Sequence, residues 1–392
     1  MMVFWDVSAS SWLLLSKKRA INSALELHIS IIFKHQKGFM MKKTLSLSMV
    51  LAAMVGIAGC SQSNNTGGDS AAVSSEKITT LRFAHFWPAT SATHTEVFEP
   101  WAKKIEEESN GRLKVEIFPS ATLSKADAAY DAAAKGTVDI GAQLQGYTNG
   151  RFPLTQVAEL PGLSNSATQM NCMLQTLYDD GVIASEYEDT HLLFMMGSGP
   201  GGIHTVNTPI NKPQDLKGLR VRRPSAIAGD IIEAAGGTPV GLPATDVYTS
   251  LQRGVLDGLS LPWDAMGSFK LIELANTHTN IPFYSSAMVV TMNKGKYESL
   301  PDDLKKVIDD NSGKMMAAMA GQVFDAEDDK FMAEAKAKGD TMIDIPDPLN
   351  DPAWRGPLEA GTQKYLADIK ALGLDGQTVY QKAKAASAAC KA

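Results

Sequence analysis

The sequence predicts an α/β protein in which mostly parallel sheets are flanked by helices. Alternating apolar and polar residues predict strands at 79–85 and 113–118, and a short third strand follows at 138–141. Helical spacing over 96–109 and an alanine-rich run over 125–135 separate them. This strand–helix–strand–helix–strand order predicts a parallel sheet, with ligand sites beyond the carboxyl ends of its strands.

Composition narrows the functional classes. The 392 residues are 44% apolar and 20% charged, which is typical of a globular chain long enough for two domains. The net charge of −6 argues against a nucleic-acid partner, because such partners favour a basic face. No apolar run reaches the roughly 18 residues that a membrane-spanning helix needs.

The segment 41–59 has the features of a lipoprotein signal peptide. Met41, Lys42 and Lys43 give a basic start, an apolar run follows over 44–57, and small residues precede Cys60. We expect Cys60 to become the lipidated first residue of a periplasmic, membrane-anchored protein. The alternative is a buried amphipathic helix with a chance cysteine.

Two further N-terminal segments are set apart from the fold. Residues 1–40 precede a complete signal and are interpreted as a start-site artefact; a real cytoplasmic extension is the alternative. Residues 60–77 are predicted to form a flexible tether, because 61–75 are rich in Ser, Asn and Gly.

Three cysteines limit the disulfide and metal chemistry. If Cys60 is lipidated, Cys172 and Cys390 form the only internal pair, and an exported protein permits a disulfide. Nothing in the sequence places the two together, so their pairing stays open. No Cys-x-x-Cys motif is present, and we therefore expect no zinc or redox site and no cofactor.

A single arginine is the strongest candidate for ligand binding. The alternation over 219–222 predicts a strand, Pro224 ends it, and Ser225 is suited to cap a helix over 226–235. Arg222 therefore lies where a strand ends and a helix N-terminus begins, a place suited to holding a carboxylate in two parallel hydrogen bonds. The alternative is a structural ion pair.

The sequence motifs of this region and of the first strands resemble those of the solute-binding subunits of TRAP (tripartite ATP-independent periplasmic) transporters. The resemblance extends over about 81–304. It is carried by Asp215-Leu216-Lys217-Gly218-Leu219-Arg220-Val221-Arg222, Pro224, Gly236-Gly237-Thr238-Pro239-Val240, Tyr248, Leu251-Gln252-Arg253-Gly254-Val255 and Asp257-Gly258, and in the first part by Gly111-Arg112-Leu113, Phe118-Pro119 and 136–140.

The resemblance implies a two-lobed, periplasmic-binding-protein-like fold with a hinge and a long helix that spans both lobes. It implies lobe I at 78–203, lobe II at 204–290 and a helical C-terminal part at 291–392. The protein would be a receptor, not an enzyme. It would deliver a small organic acid, held by Arg222, to the small and large permease subunits in the membrane.

Strand ends in the first lobe supply four further candidates for ligand contact. Phe86 and Trp87 follow the first strand, and Gln145 and Tyr147 follow the third. Aromatic rings at such a rim would pack on the apolar body of a ligand. The alternative is that they are core residues.

Three more candidates lie in the second lobe: His204, Trp263 and Asp264. A core role for His204 and a helix-capping role for Asp264 are the alternatives. The sialic-acid type of this family has polar residues where this chain has 259–261, and a second arginine where it has Gly202. A smaller or more apolar organic acid is therefore expected.

Other functional classes have weaker support. The glycines of 197–202 fit a dinucleotide-binding spacing, but a strand-like segment follows them instead of a helix, so a crossing point between lobes is the better interpretation. An exported hydrolase would need a motif such as Gly-x-Ser-x-Gly or His-Glu-x-x-His, and neither occurs. A lipid-anchored ligand sensor with the same lobes is the third alternative.

Overall fold

In this computed structural model, residues 78–390 are described, and they form two β-sheets flanked by helices. The signal, lipidation and tether predictions lie outside the described residues. The strands of the first sheet are β1 (Thr79–Ala84), β2 (Leu113–Phe118), β3 (Ile140–Leu144), β4 (Thr190–Pro200) and β10 (Ser285–Asn293). Their order is β2-β1-β3-β10-β4.

The second sheet has the order β11-β9-β5-β8-β6-β7. Its strands are β5 (Gly202–Thr205), β6 (Arg220–Arg223), β7 (Thr238–Gly241), β8 (Gly258–Leu261), β9 (Thr277–Asn280) and β11 (Thr341–Asp344). β1 pairs in parallel with β2 and β3, and β6 pairs in parallel with β7 and β8. The predicted α/β class with two sheets and flanking helices is confirmed. Within the described residues, the first sheet has two parallel and two antiparallel pairs, and the second has three parallel and two antiparallel pairs.

The helices cover the faces and ends of the sheets. They are α1 (Glu99–Glu108), α2 (Ala129–Ala134), α3 (Ala167–Asp179), α4 (Ala226–Ala234), α5 (Ala244–Gln252), α6 (Trp263–Ser268), α7 (Lys294–Glu298), α8 (Asp302–Asp310), α9 (Lys314–Lys338), α10 (Arg355–Ala371) and α11 (Gly376–Ala389). Within the described part of the chain, none of them is long and apolar enough to cross a bilayer.

The chain passes between the sheets at two neighbouring points. β4 leads into β5 through Gly201, and β9 leads into β10 through 281–284. A Cβ at Gly201 would lie 2.2 Å from the ring of Tyr284, so only glycine lets these two segments approach so closely. The first crossing falls in the glycine-rich segment. The predicted lobe limits stay predictions. In the structure, β10 belongs to the first sheet and β11 to the second.

The long helix α9 contacts both halves of the molecule. The carboxylate of Asp325 accepts hydrogen bonds from the N–H groups of Ala167 and Thr168 at the start of α3, at 2.6 and 3.0 Å. One turn further on, Asp328 accepts from the N–H of Asp264 at the start of α6, at 2.6 Å. Carboxylates on one helix thus satisfy the unpaired N–H groups of two others. The predicted spanning helix is confirmed.

A disulfide fastens the C-terminal helix to the first half. Cys172 of α3 is bonded to Cys390, just after α11, with a Cα–Cα distance of 5.8 Å. The sequence left this pairing open, and the fold brings the two together across 218 residues. A bridge that closes so long a loop restricts the unfolded chain and typically adds about 2–4 kcal/mol of stability.

Candidate functional site

Arg222 lies at the carboxyl end of β6 and is completely buried. The strand ends because Pro224 cannot donate to the sheet, and the Ser225 hydroxyl caps α4 by accepting from the N–H of Ala228. β6 lies between β7 and β8 and pairs in parallel with both, with Arg222 opposite Val240 on one side and Leu259 on the other. The predicted placement at a strand end before a helix N-terminus is therefore what the structure has.

The guanidinium of Arg222 is held by three neutral oxygens. Nε donates to the carbonyl of Leu242 at 2.8 Å, Nη1 to the carbonyl of Ser260 at 3.1 Å, and Nη2 to the Tyr147 hydroxyl at 3.3 Å. Within residues 78–390, no carboxylate forms an ion pair with it. The structural ion-pair alternative therefore has no partner in the described chain.

Tyr147 comes from the opposite half of the molecule. Its hydroxyl oxygen accepts from Arg222 and also from the N–H of Ala244, the first residue of α5, at 2.9 Å. Burial raises the pKa of Tyr147, and the positive charge of Arg222 opposes that rise. A phenol has two acceptor lone pairs and one proton, so these contacts leave the O–H to donate to a further acceptor.

Aromatic rings extend from Tyr147 along the first lobe. Phe86 stacks on Trp87 at 4.0 Å between ring centres and meets Tyr147 edge-on at 5.6 Å. Phe269, which follows α6 in the other half, lies parallel to Phe86 at 6.4 Å. Phe86 and Trp87 are almost fully buried within the core of the first sheet. The structure therefore brings three of the predicted aromatic residues into one continuous group beside Arg222.

The two halves also touch at Gly146. A Cβ there would lie 2.6 Å from the Cβ of Ser225 and 2.7 Å from the carbonyl oxygen of Pro224, so any side chain would push the halves apart. Its neighbour Gln145 is fully buried and donates from Nε2 to the Tyr187 hydroxyl, while its Oε1 has no partner in the described chain.

His204 lies in a different cluster. Its Nδ1 is 2.8 Å from Nδ1 of His278, its Nε2 is 3.0 Å from the carbonyl of Leu261, and the Trp263 ring packs edge-on at 4.9 Å. Burial lowers the pKa of His204 to about 3, so the ring is neutral at physiological pH. These hydrogen bonds join β5, β8 and β9, as is typical of a histidine in a protein core.

Trp263 and Asp264 border a groove beside the crossing segments. The Trp263 indole donates to Asn280 at 2.9 Å, and Trp263, Asn280 and Asp328 line a groove of about 490 Å³. Asp264 is buried, and desolvation raises its pKa to about 7. The structure therefore groups Arg222 with the first-lobe aromatics and places Trp263, Asp264 and His204 apart from that group.

Three buried polar residues near Arg222 were not predicted from the sequence. Glu159 is completely buried; its Oε1 accepts from the N–H of Ala287 at 3.2 Å, and desolvation raises its pKa to about 7. Tyr284 and Ser260 are buried, and neither hydroxyl has a hydrogen-bond partner among residues 78–390. A serine next to the Asp-Gly motif was a usable signal for Ser260. No local pattern marked Glu159 or Tyr284.

Comparison with known proteins identifies the class. The family model described as bacterial extracellular solute-binding protein, family 7, matches residues 83–368. The chain belongs to this family. It is a periplasmic solute-binding protein of the TRAP type.

Two solved structures and one curated relative illustrate the similarity. A marine metagenome TRAP solute-binding protein specific for aromatic acid ligands, in complex with 3-hydroxybenzoate, is 34% identical, with a TM-score of 0.76, over 81% of this chain and 100% of that chain. A TRAP solute-binding protein from Rhodoferax ferrireducens with copurified benzoate is 32% identical, with a TM-score of 0.76, over 80% and 98%. The 2,3-diketo-L-gulonate-binding periplasmic protein of Escherichia coli is 26% identical over 234 residues, 58% of this chain and 70% of that protein.

Glu159 gives a prediction about stability and pH. Its folded-state pKa of about 7 exceeds the ordinary value of 4.5, so between these values the folded protein binds more protons than the unfolded chain. The free energy of unfolding therefore falls as the pH rises through this window, by about 3 kcal/mol for a shift of this size. Asp264, whose pKa is raised in the same way, adds a decrease of the same sign.

In Glu159→Gln, we expect the free energy of unfolding to fall less with rising pH than in the wild type. The part of the decrease that is due to Glu159 is lost, and the part due to Asp264 remains. Urea unfolding at about pH 5 and about pH 8 measures it, with the exposed Glu116→Gln on β2 as the control that keeps the wild-type dependence. Equal pH dependence in Glu159→Gln and wild type would contradict the assignment.

Proposed function

We propose that this protein captures an aromatic monocarboxylate in the periplasm and delivers it to the permease subunits of a TRAP transporter, with Arg222 as the carboxylate clamp. The observation that carries the proposal is a fully buried guanidinium that forms no ion pair with any carboxylate of residues 78–390. A buried charge without a counter-charge is unfavourable by several kcal/mol, which a bound carboxylate would offset.

The donors of Arg222 match the needs of a carboxylate. A guanidinium has five N–H groups, and three are used by Leu242, Ser260 and Tyr147. One N–H remains on each terminal nitrogen, which supplies the two donors of a bidentate carboxylate contact. The O–H of Tyr147 would be a third donor to the same ligand.

The aromatic group accounts for the rest of the ligand. Tyr147 contacts the guanidinium, Phe86 packs on Tyr147 and Trp87 stacks on Phe86, and such rings favour a flat apolar body in offset or edge-on contact. The relatives at 34% and 32% identity carry 3-hydroxybenzoate and benzoate. Gln145, His204, Trp263 and Asp264 stay predictions as contact residues.

Anchoring through lipid on Cys60 is a separate part of the proposal, supported by the basic start, apolar run and small residues before that cysteine. In a bacterial host fed labelled palmitate, we expect the wild-type protein to carry label and to sediment with membranes. Cys60→Ala should be unlabelled and remain in the periplasmic fraction, whereas Ser63→Ala, just downstream, should keep the label. An unlabelled wild-type protein would overturn the anchor and leave the ligand proposal untouched.

The hydrolase alternative gains nothing from the geometry. Within the described residues, the buried His204 ring bonds to His278 and to the carbonyl of Leu261, and the buried His85 ring bonds to His94; neither ring is hydrogen-bonded to a serine hydroxyl. The family and the compared structures are solute-binding proteins.

Replacing the clamp tests the function. Arg222→Lys keeps a positive charge but loses the planar fork, and we expect its dissociation constant for benzoate to rise by about 10- to 100-fold. Arg222→Ala should show no measurable binding. Isothermal titration calorimetry measures both, and circular dichroism checks that each variant is folded.

The matched control is Arg253→Ala, at the exposed C-terminal end of α5, which should bind like the wild type. Folded Arg222 variants with wild-type affinity would remove Arg222 from the site.

A further inference from the structure

We propose that Tyr284, Ser260 and Glu159 form the polar end of a ligand site next to Arg222 and select aromatic acids that carry a ring hydroxyl. This inference rests on the proposed function and adds a specificity to it. It concerns three residues that the sequence did not single out.

Each of the three residues buries a side-chain oxygen without a hydrogen-bond partner in the described chain. The atoms are the Tyr284 hydroxyl, the Ser260 hydroxyl and Oε2 of Glu159, and each residue is at most 2% exposed. Most buried polar groups in folded proteins are paired, and an unpaired one lowers the stability of the folded state. Three in one region indicate that a further group completes them.

Ser260 and Tyr284 lie near the guanidinium of Arg222, and Glu159 lies near Tyr284. The carbonyl of Ser260 accepts from Arg222 Nη1 at 3.1 Å, which fixes this residue next to the clamp. The Ser260 side chain is close enough to the Tyr284 hydroxyl to oppose the rise of its pKa, but neither hydroxyl has a well-formed hydrogen bond in the described chain. Burial raises the pKa of Tyr284, while the charges of Arg222 and Glu159 act on it in opposite directions, so both groups are within electrostatic reach.

Glu159 is anchored rather than free to turn away. Its Oε1 accepts from the N–H of Ala287, at the start of β10, and Ser225 neighbours the side chain from the other half of the molecule. Tyr284 is fixed as well, because its ring packs against Gly201, where a Cβ would lie 2.2 Å away. The unpartnered oxygens are thus held in place before any ligand arrives, which reduces the entropy lost on binding.

A phenolic hydroxyl is the group that suits these atoms. It donates one hydrogen bond, for which a Glu159 or Ser260 oxygen is the acceptor, and it accepts from the O–H of Tyr284. An unsubstituted ring leaves all three unpaired, and sites built for a hydroxyl discriminate strongly against ligands that lack it. A second carboxylate is disfavoured, because an ionised Glu159 would repel it.

The test compares two ligands in one assay. Isothermal titration calorimetry gives dissociation constants for 3-hydroxybenzoate and benzoate, and the readout is their ratio. The wild-type protein should prefer 3-hydroxybenzoate by about tenfold, the contribution of one or two hydrogen bonds. In Tyr284→Phe, which removes only the hydroxyl, the preference should fall to about twofold or less.

Tyr297→Phe is the matched control. Its hydroxyl donates to Asp309 at 2.7 Å and its ring stacks on His191, away from Arg222, so it should keep the wild-type ratio. Ser260→Ala repeats the measurement if Tyr284→Phe does not fold, and a reduced ratio is again expected.

The outcomes separate the two proposals. A wild-type preference below about twofold, or a tenfold preference that survives in Tyr284→Phe, would overturn this inference while leaving the receptor for aromatic acids intact. Absence of binding of either acid by the folded wild-type protein would overturn the proposed function itself.

Discussion

The fold depends most on how it holds one buried cation. The guanidinium of Arg222 has lost its water, and three oxygens from β8, from the segment before α5 and from the first lobe replace part of it. Neutral oxygens orient a guanidinium without cancelling its charge. The uncompensated charge of Arg222 therefore favours the binding of an anion here. Buried groups in the described chain that already have a partner do not attract an anion in this way. In the proposed site, this uncompensated charge and the remaining N–H donors would together select carboxylates.

The contact between Arg222 and Tyr147 also links the proposed ligand site to the arrangement of the two halves. Tyr147 reaches from one half of the molecule to Arg222 and Ala244 in the other, and Gly146 lets the backbones meet there. A ligand held by groups from both halves stabilises the arrangement in which those halves are together, which is how a small molecule biases a hinge equilibrium. The long helix α9, whose carboxylates cap α3 and α6, limits the directions in which the halves can move.

Local sequence signals were sufficient for many of the elements and for the position of Arg222. Alternation, proline and a capping serine located β6, Arg222 and the start of α4, because each depends on residues close together in the chain. Contacts between distant segments were not accessible in this way. The Cys172–Cys390 bond spans 218 residues, and the neighbours of Glu159 and Tyr284 come from both halves. Spacing also could not tell which residues Trp263, the first residue of α6, would contact, and the structure packs its ring edge-on against His204.

A crystal structure of the protein with 3-hydroxybenzoate tests the central claim most directly. We expect the ligand carboxylate to accept hydrogen bonds from the two remaining N–H groups of Arg222, within about 3 Å, and the ligand ring to lie beside Phe86 and Tyr147. A ligand carboxylate bound elsewhere, such as in the groove lined by Trp263 and Asp328, with Arg222 still contacted only by its three protein oxygens, would contradict it.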